Sequence, residues 1–585
     1  MRYPQLKPLP TSREMVDVFR GYNHNLRISN GEFFNMKNLT SDNYPVLSPR
    51  GKRGVYAKPA SPQGMVAKET LCYVDGSDFV IGQNRISMGL STAEEDCPKE
   101  LVSMGAYVII LPDKKFINTA KPEDRGNIEA TFESDGDVTF TLARVDGSAY
   151  EAQFTQKDAP ENPENSTLWV DTSTTPNVLK QWSESAGMWV SIATTYVKIQ
   201  STGIGTQFSV GDGVVISGLK DQEEQISALE GAAIIQDKGD DYIVIIGILD
   251  KAETLKTKVT IKRTMPVMDF IIEANNRLWG CRYGLDDNGE FVNRLYASKL
   301  GDFKNWNCFA GVSTDSYFAN LGTDGYFTGA ITHLGAALFF KEHCLHKVYG
   351  NVPSDFTVQD TACRGVQSGC ENSMAIVNEI LYYKARNAVC SYDGSLPTEI
   401  SYPLGNVQYF DAVGGAHGNK YYLSMSDGYG AWNLFVFDTA KGLWHREDDL
   451  HAIEFVSYRG EMYCVDAEDR NIITLLGSHE EDEKVVEWMA ETGELGVSSP
   501  DMKYVSRITL RMSLEPGSEM KVYAQYDMSD EWILTCAFRG TDLRSFSVPI
   551  RPRRCDFMRL KFEGIGPAKI YSITKTIEQG SDRSL

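Results

Sequence analysis

Short stretches in which hydrophobic and polar residues alternate recur along most of the chain. The clearest are 137–144 (DVTFTLAR), 504–512 (YVSRITLRM) and 520–526 (MKVYAQY). A period of two places successive side chains on opposite faces of a strand, so each stretch predicts a strand with one buried face. Asp-Gly and Asn-Gly pairs, which favour the positive φ angles of tight hairpin turns, separate many of these stretches. The pattern therefore predicts a mainly β chain rich in hairpins.

Helical periodicity is scarce in the same sequence. Only 221–231 and the acidic stretch 480–489 have the composition and spacing of short helices. Neither is long enough to change the predicted fold class.

Changes in texture divide the chain into five parts. Residues 1–63 are rich in turns and predict an arm that docks onto other elements, and 64–117 predict the first strands of a propeller. Residues 118–262, rich in Thr, Asp and Glu, predict one or two inserted β domains. Residues 263–480 predict propeller blades, and the longer alternating strands of 481–585 predict a C-terminal β-sandwich domain.

The propeller prediction comes from the spacing of strand sets. Between 265 and 475 they recur at intervals of about 35–50 residues, the spacing of propeller blades. A small sheet cannot bury both faces alone, so such units predict stacking around an axis. With 64–117 as an early blade, the sequence predicts an interrupted β-propeller of roughly six to eight blades.

The charge and cysteine content narrow the class of protein. The 585 residues carry a formal charge of −21 at 42% hydrophobic content, which excludes a disordered chain and a basic nucleic-acid binder. No stretch approaches the roughly 18 apolar residues of a membrane span, and the first residues lack the apolar core of a signal peptide. Eleven scattered cysteines without a CxxC pair indicate reduced, structural thiols. These features predict a cytosolic protein with no membrane span.

No catalytic or metal-binding motif is present in the sequence. The phosphate-loop, zinc-protease and nucleophile-elbow patterns are all missing. The nearest metal-like cluster, His343, Cys344 and His346, has no second ligand pair beside it, and Asp286–Glu290 lacks the ligand spacing of a calcium loop. The sequence therefore predicts no catalytic residue, no cofactor and no metal site.

Aromatic residues make up 11% of the chain. A sugar-binding surface would need some of them exposed beside polar groups, but most lie in alternating strands, which favours core packing. The one basic run contains Arg551, Arg553 and Arg554, which we interpret either as a partner contact or as ion pairs with local carboxylates.

Three parts of the sequence resemble a known family. They are 35–50 (NMKNL followed by YPVLSPR), 276–306 (NRLWG, then NRLYASKLGDFKNW), and the C-terminal stretches 503–511, 549–554 and 578–582. They are similar to the propeller-bearing tail nozzle, or tubular tail, proteins of bacteriophages. The residues that this resemblance marks as candidate motif or interface positions are Asn276, Arg277, Trp279, Gly301, Asp302, Phe303, Trp306, Arg551, Arg553 and Arg554.

The resemblance implies a virion protein that forms a ring of identical subunits, expected as a hexamer, below the portal and its adaptor. Its partners would be further copies of itself, the head–tail adaptor and other tail or fibre proteins. It would occur in the virion tail, and in the host cytoplasm during assembly. DNA would pass through the lumen without specific binding, and an acidic wall suits that role because it gives phosphates no cations to bind. Six copies of −21 carry −126.

The functional prediction is therefore a structural protein of a phage tail that conducts the genome during ejection, and not an enzyme. A glycan-binding or glycan-cleaving propeller is the alternative, because separated residues can converge in a propeller funnel. A scaffold propeller that binds peptides is a third possibility. Residues 118–262 match no motif of the family, so the resemblance assigns them no role.

Overall fold

The computed structural model describes residues 11–92, 99–478, 483–496, 502–527 and 529–579. Regular structure in them is almost entirely β-strand, which confirms the predicted mainly β class. Helical segments are confined to one α-helical turn and two short 3-10 turns, Glu224–Ser227, Glu371–Ser373 and Tyr402–Leu404. The first helix prediction contains the α-helical turn. The second was wrong from Glu487 onward, where a strand begins, and 480–482 lie outside the described residues.

Seven four-stranded sheets, numbered here as blades in chain order, have the strand order of propeller blades. Blade 1 consists of Pro62–Ala67, Leu71–Asp75, Asp78–Ile81 and Asn84–Ser87. Blade 2 consists of Glu100–Met104, Tyr107–Leu111, Lys115–Asn118 and Arg125–Asn127. Blade 3 consists of Phe270–Ala274, Arg277–Leu285, Phe291–Ala297 and Tyr317–Asn320. Blade 4 consists of Phe327–His333, Ala336–Lys341, Cys344–Tyr349 and Thr357–Ala362. Blade 5 consists of Ala375–Val377, Ile380–Ala385, Ala388–Tyr392 and Thr398–Glu399. Blade 6 consists of Phe410–His417, Lys420–Ser426, Trp432–Asp438 and Leu443–Arg446. Blade 7 consists of Ala452–Tyr458, Glu461–Asp466, Ile472–Thr474 and Gly54–Ala57. With the insertion between blades 2 and 3, the chain has the interrupted β-propeller class that its sequence predicts.

The chain divides into two compact units. The first comprises 1–99, 340–345 and 361–585, and the second comprises 100–339 and 346–360. In the first unit, apolar side chains of blade 7 pack against those of blades 6 and 1. In the second unit, blade 3 packs against blades 2 and 4 in the same way. Blades 6, 7 and 1, and blades 2, 3 and 4, thus bury apolar faces against their neighbours within each unit, as the stacking argument requires.

The insertion occupies 130–263 and consists of three small sheets. Two of them enclose one apolar core. Their strands are Ala130–Glu133, Thr260–Arg263, Gly213–Ser217 and Gly231–Ile234 in one sheet, and Asp237–Gly239, Tyr242–Ile246, Tyr196–Gln200, Val138–Ala143 and Glu253–Leu255 in the other. The third sheet, called the tryptophan sheet below, contains Phe154–Gln156, Leu168–Asp171, Val178–Ser183 and Met188–Ser191. The expected boundary at 117/118 falls inside blade 2, because its polar last strand leaves no hydrophobic signal in the sequence.

The C-terminal part is one nine-stranded sheet that includes strands of the N-terminal arm. Its strands are Thr11–Val16, Ala568–Gln579, Lys503–Tyr526, Met558–Ile565, Glu487–Thr492, Glu32–Lys37 and Gly21–Tyr22, with Ile533–Val548 and Arg554–Cys555 also paired to Lys503–Tyr526. A separate two-stranded sheet joins Leu39–Thr40 to Ser48–Pro49. The strand 503–526 changes partner from 568–579 to 558–565 across a break in register at 514–519. The strands of 481–585, predicted as a separate C-terminal β-sandwich, thus belong to one sheet that is joined through the long strand 503–526 and shared with the arm.

The N-terminal arm is built into the first unit through several strands. Thr11–Val16 pairs antiparallel with the last strand of the C-terminal sheet, Glu32–Lys37 pairs with Glu487–Thr492, and Gly54–Ala57 is the fourth strand of blade 7. Among the described residues, no helix is long and apolar enough to cross a membrane.

Candidate functional site

The structure places the motif residues at 276–306 in a blade corner. Arg277 is buried, and its guanidinium donates to the carbonyl oxygens of Ser298 at 2.8 Å and Ser313 at 2.9 Å. Gly301, whose φ of +73° favours glycine, donates its N–H to the carbonyl of Asn276 at 2.8 Å. Asn276 and Arg277 thus help to fix the turn at the end of blade 3.

The three aromatic motif residues lie in the core. Trp279 packs between blades 3 and 4, whereas Phe303 and Trp306 pack between blades 2 and 3, and all three are at most 5% exposed. The structural-motif interpretation fits this placement. The interface interpretation does not fit these three residues, because a side chain inside the core cannot contact a partner's surface.

Asp302 belongs to a buried polar network that links the motif to the insertion. The Asn305 amide donates to the carboxylates of Asp302 at 2.6 Å and Asp212 at 3.0 Å. The side-chain oxygen of Asn305 accepts a hydrogen bond from the backbone N–H of Gly213 at 2.8 Å. Arg263 forms a buried ion pair with Asp212. The motif therefore positions the insertion, a role that its sequence did not indicate.

Arg551, Arg553 and Arg554 lie at the surface of the C-terminal sheet. The guanidinium of Arg553 lies 5.5 Å from the ring centroid of Tyr526, whose hydroxyl donates to the carbonyl of Arg551 at 3.0 Å. The partner contact proposed for this basic run stays a prediction.

Of the three residues in the metal-like cluster of the sequence, His346 is buried, Cys344 is half-buried and His343 is exposed. The His346 ring is buried, and its Nε2 lies 2.9 Å from the hydroxyl of Thr323. In the part of the chain that the structure describes, no group of three His, Cys, Asp or Glu side chains is placed to hold a metal ion.

The tryptophan sheet has one apolar face packed inward and one aromatic face turned outward. On the inner face, Leu168, Val170 and Leu179 form a small core with residues of the neighbouring sheet. Alternation along the strands then places Trp169, Lys180 and Trp182 on the opposite face. Cross-strand pairing adds Trp189 opposite Trp182, and Phe154 beside Trp169. We call this set the tryptophan face.

The rings of the tryptophan face form a continuous surface. The ring centroids of Trp169 and Trp189 are 5.2 Å apart, and those of Trp182 and Trp189 are 5.5 Å apart, both pairs edge to face. Trp169 is buried beneath its neighbours, whereas Trp182 and Trp189 are partly exposed. The indole N–H of Trp169 donates to the carbonyl of Gln156 at 2.9 Å. The indole N–H groups of Trp182 and Trp189 have no hydrogen-bond acceptor among the described residues.

Charged groups adjoin the rings. The Lys180 ammonium lies 4.9 Å from the centroid of Trp169 and 2.8 Å from the carboxylate of Asp171. Burial raises the pKa of Asp171, but hydrogen bonds from Lys180 and Ser173 outweigh it and hold that pKa at about 2. The carboxylate is therefore ionised at neutral pH and holds the Lys180 ammonium beside Trp169.

Sequence reasoning missed this face because it treated the aromatic residues as core. The signal was nevertheless present: three of the nine tryptophans fall within 169–189, in strands where Lys180 shares their alternation. Only the pairing of Trp182 with Trp189 shows that they share a surface.

Glu454, in the first strand of blade 7, has a carboxyl with a raised pKa. Burial raises that pKa to about 8, and a hydrogen bond from the backbone of Met65 opposes the shift. A raised pKa favours the protonated carboxyl, which is the form that a general acid needs.

Comparison with known proteins gives matches to solved structures only. No family model matches the chain, and no curated protein matches it. An exo-β-1,3-galactanase from Phanerochaete chrysosporium is 9% identical, over 52% of this chain and 94% of its own, with a TM-score of 0.19. The computationally designed Ika8 protein is 10% identical over 73% and 99%, with a TM-score of 0.26. An engineered GH43 glycoside hydrolase is 8% identical over 54% and 99%, with a TM-score of 0.18.

These matches bear on one prediction directly. The expectation that the chain is not an enzyme is contradicted, because the solved structures that it matches include glycoside hydrolases. At these TM-scores the activity of this chain has to be argued from its own residues. The resemblance to phage tail proteins is not tested by the matches and stays a prediction.

Proposed function

We propose that the protein binds glycans through the tryptophan face of its inserted domain. The observation that carries the proposal is the partly exposed pair of Trp182 and Trp189. These rings pack around the buried Trp169, beside which Asp171 holds the Lys180 ammonium. The two indole N–H groups without a protein acceptor add to this support.

The chemistry of a sugar matches this surface. The C–H groups of a pyranose ring pack on the negative face of an indole, and the sugar hydroxyls then require donors and acceptors at the ring's edge. Lys180 and the indole N–H groups of Trp182 and Trp189 can donate to those hydroxyls, while the buried Asp171 holds the Lys180 ammonium in place. A few polar groups placed around an apolar platform set the orientation of such a ligand.

We expect glycan binding to be lost when the outer rings are removed. In a glycan array followed by calorimetric titration of the best ligand, Trp182→Ala and Trp189→Ala should each weaken binding by about ten-fold, because each loses a stacking contact worth about 1 kcal/mol or more. Trp189→Phe should retain part of the affinity. Tyr429→Ala, which removes a 96% exposed aromatic from a hairpin tip, is the matched control and should bind normally.

The titrations also separate binding from cleavage. Release of reducing ends from an added glycan, and its loss in Glu454→Gln, would assign that carboxyl as a general acid in a catalytic site separate from the tryptophan face. Affinity that is equal in the wild type, Trp182→Ala and Trp189→Ala would contradict the proposal. So would the absence of any glycan ligand for the intact chain.

We propose as a second candidate the tail-ring role, in which copies of this chain and its adaptor enclose a passage for DNA. The supporting observation is the edge strand Ile533–Val548, which pairs only with 503–526 among the described residues. A long exposed edge presents free backbone donors and acceptors to another chain. Leu534 and Leu543 on it are 53% and 45% exposed. Residues 533–554 contain five arginines and one aspartate, a net +4, so the remaining 563 residues carry −25.

We expect this edge to govern self-association. Leu543→Lys and Arg544→Glu should each shift the assembled protein toward monomers in light scattering or mass photometry at low salt, since the first adds a charge to an apolar contact and the second removes attraction to the acidic partner. Arg144→Glu, an exposed change in the insertion, is the control. A wild-type protein that stays monomeric at all concentrations and with its adaptor would overturn this candidate.

A further inference from the structure

A cavity of about 640 Å³ lies inside the first unit, between the N-terminal arm and the C-terminal sheet. The arm contributes residues near 40–52, and the C-terminal sheet contributes the turns at 513–518 and 566–571. The volume falls within the range of pockets that hold small molecules. The tryptophan face lies in the other unit, so this cavity is a separate site.

Cationic side chains outnumber acidic ones in the cavity wall. Arg50 is already occupied, because its guanidinium makes a bidentate pair with Glu483 at 2.9 Å for both contacts. Lys52, Lys484 and Lys569 line the cavity and make no hydrogen bond or ion pair with other described residues. Three ammonium groups therefore face the same space in a chain whose overall charge is −21.

Two acidic residues line the cavity as well. Asp42 is paired with Lys420, whose ammonium lies 2.6 Å from its carboxylate. Glu515 lies in an exposed turn. Among the described residues, the wall therefore has three unpaired cations and one unpaired anion, which is a surplus of two positive charges.

Ser518 supplies an independent sign of a ligand. Its side chain is 2% exposed and lines the cavity, and its hydroxyl has no hydrogen-bond partner in the described residues. The neighbouring Gly566 leaves the space for it, because a Cβ at Gly566 would lie 2.7 Å from the Ser518 oxygen. A buried polar atom without a partner is rare in native proteins and points to a missing hydrogen-bonding group.

We propose that this cavity binds a phosphate or sulfate group of a small molecule. Lysine ammoniums are point donors that suit a tetrahedral oxoanion, whereas a planar carboxylate favours the guanidinium fork, which Arg50 here gives to Glu483. Lys52, Lys484 and Lys569 contact the oxyanion oxygens. The Ser518 hydroxyl, which is turned toward Gly566 in this structure, donates to one of them after rotation about its Cα–Cβ bond. The rest of the cavity holds the remainder of the molecule.

The experiment is calorimetric titration of the full chain with pyrophosphate at low ionic strength. Lys52→Gln, Lys484→Gln and Lys569→Gln should each weaken binding by about three- to ten-fold, and the triple variant should abolish it, because each removes one charge from the site. Lys58→Gln, an exposed lysine of the same arm outside the cavity, is the control and should bind like the wild type. No saturable binding, or equal binding by the triple variant, would overturn the proposal.

Ser518→Ala separates a ligand contact from a structural one. The variant should bind pyrophosphate about ten-fold more weakly, while the unfolding midpoint of the free protein stays the same or rises, because the hydroxyl has no protein hydrogen bond to lose. A fall in that midpoint without a change in binding would assign Ser518 to the core and contradict its role here. Parallel titrations with inorganic phosphate, sulfate and glucose 6-phosphate distinguish a free oxoanion from a phosphorylated small molecule.

Discussion

Replacing Arg53 by methionine is expected to lower the free energy of unfolding by about 3–5 kcal/mol, the effect of breaking a buried ion pair from one side. The guanidinium of Arg53 lies 2.6 Å from the carboxylate of Asp448 and 2.7 Å from that of Glu447. All three side chains are buried, so the variant leaves Glu447 in the interior without its cation and leaves Asp448 with only Arg50, at 3.5 Å. The arm then loses its closest charged contacts with the segment that follows blade 6.

Chemical denaturation, followed by circular dichroism, measures this change. Arg364→Met is the matched control, because Arg364 pairs with Glu399 at 2.8 Å where both side chains are well exposed. Exposed pairs contribute at most about 1 kcal/mol. Equal stabilities for the wild type and Arg53→Met would show that the buried pair does not hold the arm in place.

The pH dependence gives the same experiment a second readout. Burial raises the pKa of Asp448, but Arg53 and Arg50 outweigh it, so the folded-state pKa lies below the unfolded value. A depressed carboxyl pKa stabilises the fold above the unfolded pKa of about 3.9, and that stability is lost as the pH falls. The difference between the wild type and Arg53→Met should therefore shrink from pH 7 to pH 3.

The second large effect concerns the joint between the motif and the insertion. Arg263→Met should destabilise the insertion by about 3–5 kcal/mol, because Asp212 stays buried without its cation. The guanidinium of Arg263 also donates to the carbonyl of Ile128 at 3.0 Å, a bond that the variant loses. Asn305→Ala should cost less, about 1–3 kcal/mol, since it removes hydrogen bonds but no charge.

Hydrogen exchange measured by mass spectrometry locates this effect. Strands Gly213–Ser217 and Thr260–Arg263 should exchange faster in Arg263→Met, while blades 6 and 7 keep their wild-type rates. Lys258→Met removes a cation whose side chain is 60% exposed in its pair with Glu133 and serves as the control. Unchanged exchange in both strands would show that the network does not hold the insertion in place.

Much of the fold follows from local chemistry that a sequence records. Alternation along 503–526 and the Asp-Gly turns identify strands and hairpins, because strand faces and turn angles depend on neighbouring residues only. The predicted arm shows the limit of this reasoning. Its last strand, Gly54–Ala57, completes blade 7 with residues about 400 positions away, and no local pattern specifies that partner.

The candidate sites divide in the same way. The motif at 276–306 could be recognised from its letters, yet its burial and its contact with Asp212 depend on packing between distant segments. Trp182 and Trp189 stand out in the sequence, but whether they lie in a core or on an outward face depends on which side of their sheet is covered. The pocket of Lys52, Lys484 and Lys569 brings together residues more than 500 positions apart, so it has no sequence signature.

The sequence by itself thus determined the mainly β class, the blade texture and the acidic charge, because composition and period-two patterns are local properties. The tertiary structure decided which strands complete each sheet, which aromatics face outward and where lysines meet a buried serine. These depend on long-range pairing and on burial, which are properties of the folded chain as a whole.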